Sequence, residues 1–404
     1  MNDLGWRHLA FRINDATLGR GEPKETSVAD EILLLAGTRP EAIKVAPVAI
    51  ALADHPVLRP VLVNGGQHSK AVVRQAWGAF GLVPDVEIAV ERRSGSQAEL
   101  AAAILPALDQ VMVERQPAVV LVQGDTTTTL AGALAAFWRG IPVAHLEAGL
   151  RSGTLDTPFP EEGNRQMVAR IASLHLAPTP AAAEALSRES VPHEEITITG
   201  NTVIDAVRHI VMADRPSYSQ ALADVERELD ATSRRLVLVT AHRRESWGAP
   251  LHEVLSAVRD LVHRHPDITV LLPAHPNPAV RAQVIAALAN QPRVHVTDPL
   301  DYPDLIRALH QAALVLTDSG GLQEEAPSFG VPVLVLRPTT ERMEAVHAGY
   351  ARLVGTDRDL ILKEADRLLS ARTRLPPDSN PFGDGHAAKH VVAALEHLLD
   401  RLSG

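Results

Sequence analysis

The chain has 404 residues, a formal net charge of −10 at pH 7 and no cysteine. This length exceeds what one hydrophobic core usually serves, so two domains are expected. The acidic balance and an aromatic content of 3% argue against a nucleic-acid binder with stacking platforms. Without cysteine, the chain can form no disulfide, thiolate metal site or cysteine nucleophile.

No run of the sequence approaches the ~20 apolar residues of a membrane span. Residues 1–30 mix charged with apolar residues and lack the unbroken apolar centre of a secretory signal. We therefore expect a cytoplasmic protein whose residues 1–30 form a poorly ordered N-terminal extension.

Apolar runs alternate with helical patterns over residues 31–200. The run EILLLAG precedes TRPEAIKVAPVAIALAD, in which apolar residues recur at helical spacing and Pro40 suits a first helical turn. Five more strands are predicted in this part: PVLVNGG, AVVLVQGD, IPVAHLEAG, SLHLAPT and EITITG. Continuous apolar strands separated by helices predict a parallel sheet with helices on both faces.

The same alternation resumes after a helix-rich stretch that begins at Gly200. Its strands are predicted at RRLVLVTAHRR, ITVLLPAHP, RVHVTDP, ALVLTDSGG and PVLVLR. The sequence thus predicts an α/β fold of two Rossmann-like domains facing a central cleft, over residues 31–200 and 201–384. The last amphipathic stretch, about residues 385–404, can cap either domain.

Polar clusters follow six of the predicted strands and occur in both halves of the chain. They are GTRPE, GDTTTT, HLEAGLRS, AHRRES, AHPNP and DSGGLQEE. Ligands of open parallel sheets bind outside the carboxyl ends of the strands. Six clusters on two domains therefore indicate a shared binding cleft.

The DSGGLQEE cluster has the composition of a phosphate site. Ser319, Gly320 and Gly321 lie where a strand passes into a helix, so free backbone N–H groups and the positive helix end face the cleft. The alternative is a capping serine followed by turn glycines. Glu324 and Glu325 follow, and a carboxylate there can accept hydrogen bonds from ribose hydroxyls, unless this helix face is simply solvated.

Basic residues that suit a diphosphate lie near the same strand ends. Arg39 and Lys44 flank the start of the first helix, and Arg342 lies in the loop TTERMEA. His242 opens the HRRE turn beside Arg243, where an imidazole can contact phosphate or move a proton. Each of these residues taken alone has a structural alternative, as a surface ion pair or a hydrogen-bonded histidine.

Three carboxylates in the first half are candidates for acid/base chemistry: Asp125, Glu147 and Glu161. Removing a proton from carbon needs a nearby base, and returning it to the opposite face can need a second group. The alternatives are that Asp125 caps the TTTT helix and that Glu147 pairs with Arg151 four residues on.

Several signatures are missing from the sequence. It has no GxxxxGK[ST] phosphate loop, no GxGxxG dinucleotide fingerprint, no HExxH and no GxSxG. These absences weaken P-loop hydrolysis, nicotinamide chemistry, zinc proteolysis and the α/β-hydrolases. No pattern favours a metal site.

The strand-end clusters belong to longer motifs, which are, in chain order, GTRPEAIKVAPV, GDTTTTLAGALAA, HLEAGLRSG, PEEGNR, TGNTVIDAV, TAHRRES, HPNPAVR, TDSGGLQEEAPSFGVPVLVLR and TERMEAV. In this order they resemble the non-hydrolysing UDP-N-acetylglucosamine 2-epimerases, from about Leu33 to Asp357. The resemblance implies a GT-B fold whose C-terminal helix crosses back to the first domain, and a homodimer. It also implies reversible interconversion of UDP-GlcNAc and UDP-ManNAc without an external cofactor, through anti elimination of UDP to 2-acetamidoglucal and re-addition of UDP.

By motif position, the resemblance also implies roles for single residues. The acid/base carboxylates would be Asp125, Glu147 and Glu161, with Arg165 orienting the loop group. Substrate would be held by Arg39, Lys44, His242, Ser319, Gly320, Gly321, Glu325 and Arg342. A second, activating UDP-GlcNAc site would involve Gln67, His68, Arg243 and His275, although Ser69 and Lys70 depart from the usual family pattern there.

Overall fold

A computed structural model describes residues 30–241, 243, 247–371, 374–377 and 380–404. The predicted extension lies outside the described residues except for Asp30. Within them the chain forms a seven-stranded and a six-stranded sheet, in which every strand pair is parallel. The predicted α/β fold with two parallel-sheet domains is confirmed.

The first sheet has the strand order β3-β2-β1-β4-β5-β6-β7. Its strands are β1 Asp30–Ala36, β2 Leu58–Asn64, β3 Val86–Glu87, β4 Val119–Gln123, β5 Val143–Leu146, β6 Leu174–Ala177 and β7 Ile196–Ile198. The accompanying helices are α1 Arg39–Ala53, α2 Lys70–Gly78, α3 Gln97–Arg115, α4 Thr127–Trp138, α5 Glu161–Ile171 and α6 Pro180–Arg188. Ile32 to Ala36 of β1 are buried, as expected for a central strand with helices on both faces.

The second sheet has the order β10-β9-β8-β11-β12-β13. Its strands are β8 Arg235–Thr240, β9 Ile268–Pro273, β10 Val294–Thr297, β11 Ala312–Thr317, β12 Val333–Val335 and β13 Ala351–Leu353. The remaining helices are α7 Thr202–Met212, α8 Gln220–Thr232, α9 Ala249–Arg264, α10 Pro278–Leu288, α11 Tyr302–Gln311, α12 Gly320–Glu325, α13 Met343–His347, α14 Arg358–Ala371 and α15 Ala387–Ser403. Strands β3 and β13 were not predicted, because two or three residues show too little pattern.

Helices α7 and α15 join the two halves of the chain. Helix α15 packs against α1 of the first half and against α7, and its Ala387 and Ala388 amides donate to the Asp205 carboxylate at 3.1 and 2.9 Å. The predicted boundary near Gly200 falls between the last strand of the first sheet and α7. Among the described residues, no helix is long and apolar enough to cross a membrane.

Candidate active site

The carboxyl ends of both sheets meet in a cleft, and the loop after β1 lines one side of it. The Glu41 carboxylate accepts the Gly37 and Thr38 backbone N–H groups at 2.7 Å each. It also accepts hydroxyl donors from Thr126 and Thr129 at the start of α4. Burial raises the pKa of Glu41 although these hydrogen bonds oppose the rise. One carboxylate therefore fixes the loop between β1 and α1, the helix that carries Lys44, to the loop that carries Asp125.

Four charged side chains form an ion cluster across the cleft, which we call the cleft cluster: Lys44, Glu147, Glu324 and Arg342. Lys44 and Glu147 come from the first domain, and their side chains are in direct contact. The Lys44 ammonium also lies 3.2 Å from Glu324 Oε2, and Arg342 Nε donates to Glu324 Oε1 at 2.8 Å. The cluster thus joins the ends of the two sheets through two cations and two carboxylates.

Electrostatics keep Lys44, Glu324 and Arg342 ionised in spite of their burial. Burial alone would lower the pKa of Lys44, but the carboxylates of Glu147 and Glu324 raise it above its ordinary value. Burial would raise the pKa of Glu324, but Lys44 and Arg342 outweigh that effect and lower it. The pKa of Arg342 is raised because Glu324 and Glu147 outweigh its desolvation. Buried charges are tolerated only when they are paired in this way.

Glu147 holds an unusual backbone conformation at the end of β5. Its φ of 65° lies in the left-handed region, which a residue with a Cβ adopts only at a cost in conformational free energy. Gln123 Nε2 donates to its Oε2, and Lys44 contacts its Oε1. Arg151 instead forms a two-pronged ion pair with Glu189, at 2.6 and 2.8 Å. The alternative pairing of Glu147 with Arg151 is therefore wrong.

Asp125 follows β4 and is held from the other side by α5. Arg165 Nη2 donates to its Oδ2 at 2.5 Å, and Asn164 Nδ2 donates to its backbone carbonyl at 2.9 Å. Thr126, not Asp125, caps α4, since the Thr126 hydroxyl accepts the Thr129 N–H. The capping alternative for Asp125 is therefore wrong. Oε2 of the buried Glu162 lies 3.3 Å from Arg165 Nη1 and stabilises the position of the arginine.

Glu161 and Arg39 are placed at the cleft but hold no fixed partner there. Glu161 is the first residue of α5 and is half-buried, and Arg39 is the exposed first residue of α1. Neither side chain has a hydrogen bond or ion pair to another described residue. Arg39 lines a cavity of about 310 Å³ together with Tyr302 of the second domain. Both side chains are thus free to contact a ligand.

Ser319 occupies the N-cap position of the short helix α12, but its side chain makes no capping hydrogen bond. The Arg342 guanidinium lies directly over Gly320, where an added Cβ would come within 3.0 Å of it. A larger residue at this position would push the guanidinium away from the backbone by a few tenths of an ångström. This packing places the turn formed by Ser319, Gly320 and Gly321 beside Arg342 of the cleft cluster.

Glu324 and Glu325 are both buried, with 2% and 5% of their surfaces exposed, so the solvated-face alternative is wrong. Burial and the neighbouring Glu324 raise the pKa of Glu325 to about 7. The buried Tyr302 hydroxyl is electrostatically coupled to Glu325, and burial and this carboxyl raise the pKa of Tyr302. Glu325 therefore titrates near neutral pH.

The residues predicted for a second, activating site have structural contacts of their own. Gln67 Oε1 accepts the Thr128 N–H at 3.1 Å, and His68 Nδ1 accepts the Arg39 N–H at 3.4 Å. The His275 ring lies 5.7 Å from the Trp247 ring at an interplanar angle of 55°, and Arg243 Nε donates to the Asp318 carbonyl at 3.0 Å. The activating site stays a prediction, as does the role of His242, which lies outside the described residues.

The family model described as UDP-N-acetylglucosamine 2-epimerase matches residues 50–396. A UDP-N-acetylglucosamine 2-epimerase of Escherichia coli is 43% identical over 373 residues, which are 91% of this chain and 98% of the relative.

The chain belongs to the UDP-N-acetylglucosamine 2-epimerase family.

Solved structures of the family agree with this fold. The UDP-GlcNAc 2-epimerase of Neisseria meningitidis, bound to UDP-GlcNAc, superposes with a TM-score of 0.83 at 36% identity, covering 91% of this chain and 100% of that one. The enzyme of Methanocaldococcus jannaschii, in complex with UDP-GlcNAc and UDP, gives 0.77 at 30% identity, covering 91% and 99%. The two facing parallel-sheet domains are thus the GT-B fold of this family.

Sequence reasoning missed three residues that hold the site together: Glu41, Gln123 and Glu162. Glu41 had a signal, because a glutamate three residues after the N-cap Thr38 is the pattern of a capping box. Gln123 and Glu162 gave no signal beyond standing next to predicted residues. Among the described residues, no group of three or more His, Asp or Glu side chains is arranged to hold a metal ion.

Proposed function

We propose that this protein interconverts UDP-GlcNAc and UDP-ManNAc by inverting carbon 2 of the sugar without net hydrolysis. The reaction would run by anti elimination of UDP to 2-acetamidoglucal, followed by re-addition of UDP. One observation carries the proposal. The cleft cluster places Glu147, a candidate acid/base group, in one ion-pair chain with Arg342, a candidate diphosphate ligand.

The second-domain side of the cleft would bind the UDP half of the substrate. Arg342 would take the diphosphate beside Ser319 and Gly320, and Glu325 would accept hydrogen bonds from the ribose. Arg39 and Lys44 would support the side of the site where the diphosphate meets the sugar. Elimination leaves negative charge on the departing diphosphate. Fixed cations stabilise charge that grows in the transition state, and they cost no reorganisation when the bond breaks.

The first-domain side would move the protons. Inversion requires removal of a proton from one face of carbon 2 and its delivery to the other, so two groups among Asp125, Glu147 and Glu161 would serve. Arg165 would orient Asp125, which it contacts directly. His242 would add a phosphate contact. Which of the three carboxylates is the base stays open.

Domain closure would keep the glucal intermediate in the site and exclude water. Two direct contacts across the cleft support such a closed arrangement. Lys44 pairs with Glu324, and the Thr179 hydroxyl donates to Glu344 at 2.8 Å.

Proton NMR of a reaction started with UDP-GlcNAc tests the proposal. UDP-ManNAc should accumulate to a constant ratio with UDP-GlcNAc, and the same ratio should be reached from UDP-ManNAc. Free ManNAc with stoichiometric UDP would instead identify a hydrolysing enzyme and contradict the proposal.

We also propose a homodimer through helices α3, α4 and α5 of the first domain. These helices pack side by side and expose large apolar side chains: Val113, Phe137, Trp138 and Met167. Exposed apolar side chains on neighbouring helices mark interfaces more often than scattered single residues do.

Trp138→Glu should shift the sedimentation coefficient to that of a monomer, whereas Met212→Glu, at an exposed site on α7, should not. A monomeric wild type would contradict the dimer.

A further inference from the structure

Glu324 is the member of the cleft cluster to which the proposed reaction gives no task. Its two carboxylate oxygens face different partners. Oε1 accepts Arg342 Nε at 2.8 Å, whereas Oε2 lies 3.2 Å from the Lys44 ammonium without the alignment of a hydrogen bond. Within the described part of the chain, Oε2 has no other hydrogen-bond donor. Glu324 is therefore hydrogen-bonded to Arg342 and ion-paired with Lys44.

The four residues of the cleft cluster form a row of alternating charges, in the order Arg342, Glu324, Lys44 and Glu147. The row begins at a candidate diphosphate ligand and ends at a candidate acid/base carboxylate. Lys44 is shared between two carboxylates and lies closer to that of Glu147. Glu325 and Glu341 are the neighbouring acids. Glu341 lies 3.5 Å from Arg342 on its other side.

This row holds as much negative as positive charge, so its cations are already neutralised before any ligand enters. A diphosphate that pairs with Arg342 must therefore compete with Glu324 for the guanidinium. The displaced carboxylate has a cation within reach at Lys44, on the side where its Oε2 lacks an aligned donor. A stronger pair between Glu324 and Lys44 would weaken the pair between Lys44 and Glu147, because one ammonium serves both.

We propose that Glu324 is a positioning residue that couples diphosphate binding at Arg342 to the release of Glu147 from Lys44. The inference rests on the proposed function. Without nucleotide, Lys44 holds Glu147 as an ion pair and occupies its Oε1. With nucleotide bound, Glu324 draws Lys44 away and leaves Glu147 free for proton transfer. The carboxylate thus becomes active only when a substrate fills the site.

The test compares UDP binding with turnover in Glu324→Gln. The amide keeps the size of the side chain but removes its charge, so Arg342 loses a competing anion and Lys44 keeps only Glu147. Calorimetry should give a Kd for UDP that is unchanged or up to ~10-fold tighter, whereas kcat from proton NMR should fall roughly 10- to 100-fold. A residue that merely supports Arg342 would instead lose affinity and turnover together.

Glu341→Gln is the matched control, since it also removes a charge beside Arg342 but does not touch Lys44. It should change UDP affinity in the same direction and lower kcat much less than Glu324→Gln does. Glu324→Asp keeps a buried charge and protects the fold. It should also lower kcat without weakening UDP binding, but by a smaller factor. The coupling is overturned if E324Q weakens UDP binding in proportion to kcat, or if kcat does not change.

The wild-type protein separates this inference from the proposed function. An active wild type together with an unchanged E324Q variant would overturn the coupling alone. A wild type that binds UDP but leaves UDP-GlcNAc unchanged would contradict both the proposed function and the coupling that rests on it.

Discussion

The two sides of the cleft bury titratable groups in opposite ways. Below Glu147, the first domain buries His145 and His175, which are neighbours in register on β5 and β6. Desolvation lowers their pKa values to about 4 and about 3, so both rings are neutral at pH 7. On the second-domain side, the buried Glu324 and the half-buried Glu341 instead stay charged beside Arg342. Burial opposes the ionisation of Glu341, but Arg342 and Arg337 nevertheless lower its pKa to about 2.

This difference assigns the two sides different work. On the first-domain side, Asp125 has a single ion-pair partner, Arg165, and its side chain is 25% exposed to the cleft. Glu147 is paired with Lys44 of the same domain. Such groups can gain and lose protons as a substrate requires. On the second-domain side, paired ions hold positive charge in a fixed position, which suits a permanent anion such as a diphosphate. Variants on each side of the cleft test this difference between proton transfer and anion binding.

The largest effect is expected on the proton-transfer side. Asp125→Asn removes a candidate acid/base group but keeps its shape, so kcat should fall by roughly 10²- to 10⁴-fold. The Kd for UDP, measured by calorimetry, should change little. Asp109→Asn, at the surface ion pair with Arg139, is the control. Turnover near the wild-type level would remove Asp125 from the chemistry.

On the binding side, Arg342→Gln should weaken UDP binding by roughly 10- to 100-fold, the loss of one charge-assisted contact. Calorimetry with UDP measures this directly and needs no turnover. The matched control is Arg358→Gln, whose arginine pairs with Asp260 on the surface of the same domain. Equal affinities in the two variants would contradict the assignment of Arg342 to the diphosphate.

The buried histidines should make the first domain sensitive to acid. Below pH ~6.5 the unfolded chain protonates His175, whereas the folded protein resists this until about pH 3, so stability falls as pH decreases. His175→Leu should reduce the loss of unfolding free energy between pH 7 and 5 by about 2 kcal/mol. Urea denaturation at both pH values measures it, and identical losses in variant and wild type would refute the linkage.

The smallest effect concerns Glu325, whose pKa of about 7 is raised by burial and by Glu324. Protonation below that pH removes a carboxylate acceptor for the ribose, so UDP affinity should fall as pH decreases. Between pH 8 and 6 we expect a loss of up to ~10-fold. Glu325→Gln should bind UDP with a much weaker dependence on pH. If UDP affinity depends on pH as strongly in this variant as in the wild type, a group other than Glu325 is responsible.

The sequence predicted the fold well and the site only in part, and the reason is the range of the interactions. Buried parallel strands are apolar over their whole length, so β1 and β4 were recognisable, whereas the two-residue β3 was not. Lys44 and Arg342 were recognised as cations at strand ends. That Glu324 pairs with both depends on how two domains meet, and no local pattern encodes it. The neutral His145 and His175 were missed because burial, not residue type, sets their charge.

The central claim is that the cleft removes and returns the proton at carbon 2. Incubation of the wild-type protein with UDP-GlcNAc in deuterium oxide, followed by proton NMR, tests it most directly. We predict deuterium at carbon 2 in both UDP-GlcNAc and UDP-ManNAc. Recovery of an unlabelled and unchanged sugar from protein that binds UDP would contradict the account.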